Sequence, residues 1–236
     1  MQQVPSIAEI ALLARSNDLV GYFGYGSLVN RATLRTGIVA AWPARLGGWR
    51  RTWRPRPEME RESGSDTGQG TGVGFAGGLR PSLLSAHPVV EPPSGLAPKA
   101  GIDGLLVIDF AENLAAVDAR EFRYHRRDIS LADLTFASGV PAPAAGVAAQ
   151  IRLHVYEARH EPPPVNGPSP ILRSYLDAVM QGFYREFGPE GVHRFVTETH
   201  AFDTPIHEDR HAPLYPRAVK LSPREIGVFE AALGRR

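Results

Sequence analysis

The chain has no cysteine among its 236 residues. Disulfides, thiolate catalysis and cysteine-ligated zinc or iron–sulfur centres are therefore excluded, and the composition fits a reducing compartment. It also lacks a charge of one sign: 26 basic against 25 acidic side chains leave a net charge of +1. Overall electrostatics therefore give nucleic acid no foothold. Arg45, Arg50, Arg51, Arg54 and Arg56 form a local basic stretch, which reads as a solvated strand edge protected by charge. No run approaches the roughly 18 apolar residues of a membrane span. Ile7 to Leu13 is short, contains Glu9 and has no Lys or Arg before it, a poor secretory signal. The expectation is a cytoplasmic protein that binds neither membrane nor nucleic acid. With 43% hydrophobic and 22% charged residues, the chain has ordinary globular composition.

Ser6-Ile7-Ala8-Glu9 has the form of a capping box, with Ile7, Ile10, Leu13 and Ala14 following at helical spacing. Leu19 to Phe23 is a compact apolar run suited to a buried strand. It ends in Gly24-Tyr25-Gly26-Ser27, after which Asn30 can cap a short helix ending before Gly37. Residues 38–53 read as one or two strands interrupted by Pro43 and Gly47-Gly48. Glycine fills seven of the fifteen positions from Gly64 to Gly78, and five prolines lie between Pro81 and Pro98. Residues 55–72 and 84–99 are thus expected as loops around a weak strand near 73–81. Ile102 to Phe110 reads as a central strand and Glu112 to Ala119 as a short helix. Arg123 to Leu131 and Ile151 to Glu157 are further strand candidates. Ser169-Pro170 opens a long helix that Gly188-Pro189 stops, and Ser222-Pro223-Arg224-Glu225 opens a last one. Strands in the middle with helices at ends and corners suit a single α+β domain.

Three segments bear on chemistry. The glycine corner does not satisfy a dinucleotide-binding fold: Val29 replaces the third glycine, and Gly47-Gly48-Trp49-Arg50 stands where a ribose-binding acid belongs. It can still offer free backbone N–H groups to an anion, or be a plain structural turn. His207-Glu208-Asp209-Arg210-His211 matches H-E-x-x-H by letter, but Pro205 and Pro213 leave no room for the helix that a zinc site on this motif requires. The cluster from Asp118 to Arg127 is either a surface ion-pair network or the setting of one carboxylate at a pocket mouth.

Tyr22-Phe23-Gly24-Tyr25-Gly26-Ser27-Leu28 resembles the Y-G-S-(L/N) turn of the gamma-glutamylcyclotransferases. Val117-Asp118-Ala119-Arg120-Glu121-Phe122-Arg123-Tyr124, after the aliphatic run Gly104-Leu105-Leu106-Val107-Ile108, is similar to that family's L-D-x-x-E-x-x-Y stretch. Tyr175 and Gly182 resemble its late helix with an aromatic facing the pocket. The resemblance implies an α+β fold with a small mixed β-barrel flanked by helices, and no metal or organic cofactor. It implies release of 5-oxoproline from a small gamma-glutamyl substrate, including glutathione-type compounds. Glu121 would be the general base, and Tyr25, Gly26, Ser27, Leu28, Tyr124 and Tyr175 would hold the substrate. The expected layout is one such domain over 1–236, with a Gly/Pro-rich insertion at about 55–100 and a C-terminal extension at about 189–236. In that extension Pro205, Pro213 and Tyr215-Pro216-Arg217 suggest an ordered tail able to carry Arg217 to a substrate carboxylate. The competing readings are a non-catalytic ligand-binding or interaction protein on the same fold, and an enzyme stripping gamma-glutamyl groups from an acylated carrier protein.

Overall fold

The computed structural model describes residues 7–16, 19–34, 37–55, 79–89, 100–137, 151–159 and 169–234. The expected weak strand near 73–81 and Arg56 fall mostly or wholly outside these. After helix α1 (Ile7–Ser16), strand β1 (Leu19–Gly24) is buried along its whole length. It runs antiparallel to β5 (Gly101–Phe110) and parallel to β8 (Arg152–Ala158). On its other side β5 pairs along its length with β2 (Ala40–Gly47). A strand hydrogen-bonded on both edges and covered on both faces reads as a continuous apolar run rather than an alternating one, which is why IDGLLVIDF was legible as central.

Strands β6 (Tyr124–Ile129) and β7 (Leu134–Phe136) complete a six-stranded mixed sheet in the order β6-β8-β1-β5-β2-β7. The α+β architecture stands, but β6 and β7 are the two edges of this sheet, and no closed barrel is found among the described residues. Strand β3 (Trp49–Arg54) lies in a second sheet, between β4 (Leu83–Pro88) and the two-residue β10 (Thr199–His200). Strand β4 stands where the proline content led us to expect a loop. Pro88 is its last residue, and the remaining positions are free to pair with β3. Pro43 likewise does not interrupt β2, which continues through it to Gly47. Gly48, at φ +75°, makes the break to β3.

The expectation of a solvated arginine stretch fails at Arg51. Because β3 is an inner strand, Arg51 points into the core and is fully buried. Its guanidinium lies between the rings of Phe183 and Phe195, at 4.8 and 4.9 Å, an arrangement that favours a cation. It donates to the Asp103 carbonyl at 2.8 Å and, more weakly, to that of Tyr25 at 3.4 Å. Burial lowers its pKa to about 10, so it remains charged at neutral pH.

The short helix expected after the glycine corner is two successive 3-10 turns, Ser27–Val29 and Arg31–Thr33, with the Asn30 side chain accepting from the Ala32 N–H at 3.1 Å. Helix α2 (Leu114–Arg120) follows β5 through a further 3-10 turn, close to expectation. The long helix α3 (Arg173–Glu198) begins later than Ser169-Pro170 suggests. Ile171–Leu172 first forms β9, parallel to β11 (Ile206–His207). The cap comes instead from the distant Asp209, which accepts the Ser174 N–H at 2.7 Å. Gly188, in the left-handed region at φ +67°, breaks α3 where the Gly-Pro pair was expected to stop it, but a second helical stretch continues beyond the kink to Glu198. Helix α4 (Pro223–Gly234) has the expected cap. Glu225 N–H donates to Ser222 Oγ, and Ser222 N–H returns a bond to the Glu225 carboxylate. A core cluster reaching from Ile10 to Phe229 joins both sheets to α3 and α4. No helix among the described residues is long and apolar enough to cross a membrane.

Candidate active site

The glycine corner follows β1 at the point where α3 packs over it. Asn30 is buried and donates to the Ala178 carbonyl (2.8 Å) and to Gln181 Oε1 (3.1 Å), which locks the corner to the middle of α3. Gly182 makes that approach possible: a Cβ there would stand 2.6 Å from the Asn30 nitrogen. Within the corner, the N–H groups of Val29 and Asn30 close back on the carbonyls of Gly26 and Ser27. Those of Gly26 and Leu28 make no backbone hydrogen bond among the described residues. The Ser27 backbone faces the Tyr175 hydroxyl. Gly26 must be glycine for the same reason, since a Cβ on it would meet that hydroxyl at 2.9 Å.

Helix α2 delivers the acid. Glu121 is its C-cap residue, with its N–H bonded to the Val117 carbonyl, so its side chain leaves the helix end toward the corner. A hollow of about 270 Å³, measured out to its solvent opening, lies between them. Its wall is Tyr25, Gly26, Ser27, Leu28, Leu84, Glu121, Tyr124, Tyr156 and Tyr175. Glu121, Tyr25, Gly26, Ser27, Leu28, Tyr124 and Tyr175, the base and substrate holders that the resemblance implies, therefore border one small cavity; Arg217 is not part of its wall.

Sequence reasoning missed Tyr156, Leu84 and Arg120. Tyr156 and Leu84 lie on β8 and β4, whose place beside the corner is set by pairing between remote segments. Arg120 was in view as one member of a charged run, without a role. Its Nη2 donates to Ser27 Oγ at 2.9 Å, its Nη1 to the Thr33 carbonyl at 3.0 Å, and its Nε lies 3.1 Å from Glu121 Oε1. One guanidinium thus spans the distance between the corner and the carboxylate. The rest of the charged run is the surface network: Arg126 lies near Asp118 at 3.6 Å, and His125 and Arg127 lie near Glu157. Both alternatives for the cluster are realised, on different faces.

Burial raises the Glu121 pKa above the ordinary carboxylate value, against the opposing pull of Arg120 and then Arg217. The side chain keeps 14% exposure, enough to exchange protons with solvent. Desolvation is the leading cause. The tyrosines shift in the same direction, for the same leading reason. Burial, then the negative charge of Glu121, pushes Tyr25 well up. Burial, then Tyr215 and Glu121, pushes up Tyr175, and burial with the bond to Asp118 raises Tyr156. Tyr25, Tyr156 and Tyr175 therefore stay neutral phenols. Three hydroxyls of the wall are tied to fixed partners: Tyr25 Oη donates to the Tyr156 carbonyl, Tyr124 Oη to the Leu84 carbonyl at 2.9 Å, and Tyr156 Oη to Asp118 at 2.7 Å. The wall is preorganised, with one basic oxygen pair and one set of backbone donors facing inward.

The His207–His211 segment lies elsewhere. His207 ends β11, no helix forms, and Asp209 serves α3. Among the described residues no three His, Asp or Glu side chains group as a metal site.

No family model matches the chain, and no curated protein matches it. Solved structures do. A gamma-glutamyl cyclotransferase is similar at 10% identity and a TM-score of 0.49, over 91% of this chain and 99% of its own. An uncharacterized human protein is similar at 12% identity and a TM-score of 0.48, over 90% and 99%. A yeast gamma-glutamyl cyclotransferase specific to glutathione is similar at 12% identity and a TM-score of 0.39, over 93% and 98%. Two of these three bear the name of the family that the glycine corner and the glutamate stretch resemble. At such identities and scores the likeness assigns no residue and no reaction to this chain.

Proposed function

We propose that the chain is a cyclotransferase, cleaving a gamma-glutamyl amide by attack of the substrate's own α-amine and releasing 5-oxoproline. The observation that carries the reading is a desolvated carboxylate, Glu121, sharing one hollow with the amides of the glycine corner. The resemblance of both segments to the gamma-glutamylcyclotransferases supplies the reaction.

The chemistry follows from the groups present. A carboxylate raised above its ordinary pKa is a better base toward an ammonium proton. Glu121 takes one proton from the α-ammonium, and the freed nitrogen attacks the γ-carbonyl carbon. The C–N bond to the departing amine then breaks as Glu121 returns that proton to the leaving nitrogen. The second ammonium proton is lost as the ring nitrogen becomes an amide, and the released amine acquires its own from water. The corner N–H groups of Gly26, Ser27 and Leu28 steady the α-carboxylate or the developing oxyanion. Since ring closure is intramolecular, holding the substrate folded supplies much of the acceleration. Arg120 is a positioning residue in this scheme. It orients Glu121 and fixes the Ser27 hydroxyl, and is itself held by the carbonyl and hydroxyl of Thr33.

The test is 5-oxoproline release from a panel of gamma-glutamyl amino acids, glutathione and gamma-glutamyl amines. At least one should be turned over by the parent chain and none by Glu121→Gln. If a compound binds equally well to both and neither releases 5-oxoproline, the site is a binding pocket and the reading fails.

A further inference from the structure

We infer that Arg217 is a specificity-determining residue, gripping a carboxylate on the departing half of the substrate. The inference rests on the cyclotransferase reading and adds to it the chemical class of the leaving group.

Arg217 is brought to the site by a pinned tail. Asp209 accepts the N–H groups of Ser174 and Leu214, at 2.7 and 2.9 Å, and the Tyr215 N–H donates to Ser174 Oγ at 3.2 Å. The tail is thereby fixed to the first turn of α3, the turn that bears Tyr175. The buried ring of Tyr215 packs edge-on against Tyr175, centroids 5.0 Å apart, and Tyr175 borders the hollow. Arg217 in turn lies over the Tyr215 ring at 5.1 Å and donates Nε to Tyr215 Oη at 3.1 Å. Its guanidinium is thus held on an aromatic platform, and the residue is half-buried.

What distinguishes this guanidinium is that it is unspent. Arg120, the other cation whose charge reaches Glu121, has both terminal nitrogens engaged by Thr33 and Ser27 and its Nε in ion-pair contact with Glu121. Neither terminal nitrogen of Arg217 has a partner, and it forms no ion pair, among the described residues. Its charge is nonetheless felt at Glu121. A gamma-glutamyl compound with its α-carboxylate at the corner amides and its α-amine at Glu121 extends its far end away from the corner. The planar fork of an arginine held by a tyrosine suits a carboxylate at that end. An uncharged amine would leave it unanswered.

The experiment compares gamma-glutamylalanine with gamma-glutamylethylamine, which differ by that carboxylate, as substrates of the full chain. The variants are Arg217→Ala and Arg217→Lys, assayed at a pH well above the acid limb. We expect the parent to favour gamma-glutamylalanine, and Arg217→Ala to lower the acid-to-amine ratio of kcat/KM by about 10- to 100-fold, mainly through KM. Arg217→Lys should restore part of the ratio. Calorimetric binding of the two compounds in the Glu121→Gln background should show the same discrimination. Parent activity with an unaltered ratio in both variants overturns the inference alone. Absence of 5-oxoproline from both compounds with the parent overturns the cyclotransferase reading and the inference together, so the two failures are told apart.

Discussion

Two buried polar clusters lie on opposite sides of Tyr175, and they are built differently. At the start of α3, Arg173 pairs with Asp177 and Glu230, Asp177 with Arg210, and Asp209 with Ser174 and Leu214. Each charge has a close opposite or a row of donors, and the segment is held shut. At the hollow, Glu121 has a single arginine at contact distance, and its pKa is displaced upward. The Gly26 and Leu28 amides have no backbone partner among the described residues, and Arg217, held through Nε by Tyr215, forms no ion pair among them. The first cluster resolves its buried polarity internally and serves stability, as buried ion networks do only when complete. The second leaves its polarity facing a cavity, the arrangement expected where a ligand completes the set.

Substitutions should separate the two. The largest effect is expected from Glu121→Gln, which should lower the rate of 5-oxoproline release by about 10²- to 10⁴-fold, the usual worth of a general base. Its melting temperature should not fall. Asp177→Asn should do the reverse, losing about 1–3 kcal/mol of stability because Arg173 and Arg210 lose their buried carboxylate and keep only the exposed Glu230 and Glu208, measured by denaturant unfolding, while turnover per folded molecule holds. Loss of stability in the first variant or of turnover in the second would erase the distinction between the clusters.

Gly26→Ala is expected to be milder. The added methyl meets the far ends of Tyr175 at 2.9 Å and Leu84 at 3.4 Å, so stability should drop by about 1 kcal/mol, whereas kcat/KM should fall about tenfold or more through a displaced wall. The smallest effects are in pH dependence. A carboxyl whose folded pKa lies above its unfolded value favours the folded state most at low pH. That contribution is lost as pH rises from the ordinary value near 4.5 through the raised one. Stability of the parent relative to Glu121→Gln should therefore decline across that window and be flat above it. The acid limb of kcat should follow the same raised value. It should move further up in Arg217→Ala, because Arg217 is one of the charges holding it down.

Much of the site was legible because its parts are local. The strand–glycine–turn pattern at Leu19 to Leu28 and the acid after an aliphatic strand are each contained in a few consecutive residues. Where the reading failed, the deciding partner was distant. Ser169 looked like a helix cap, but Asp209 took the cap through a tertiary bond. Arg51 looked like an edge charge, but β10 pairs beside β3 and turns it inward. Pro88 and its neighbours looked like loop, but β3 offers a matching edge.

Amino-acid order alone determined the central strand, the glycine corner, the helix cap at Ser222 and the helix break at Gly188, and offered Glu121 as a candidate acid, because backbone sterics, capping and apolar runs act over a few residues. Only the tertiary structure decided that Glu121 is desolvated, that Arg120 bridges it to Ser27, and that Tyr156 and Arg217 join the same neighbourhood. Those facts depend on which segments far apart in the chain exclude water together, and burial is a property of the packed whole rather than of any stretch of sequence.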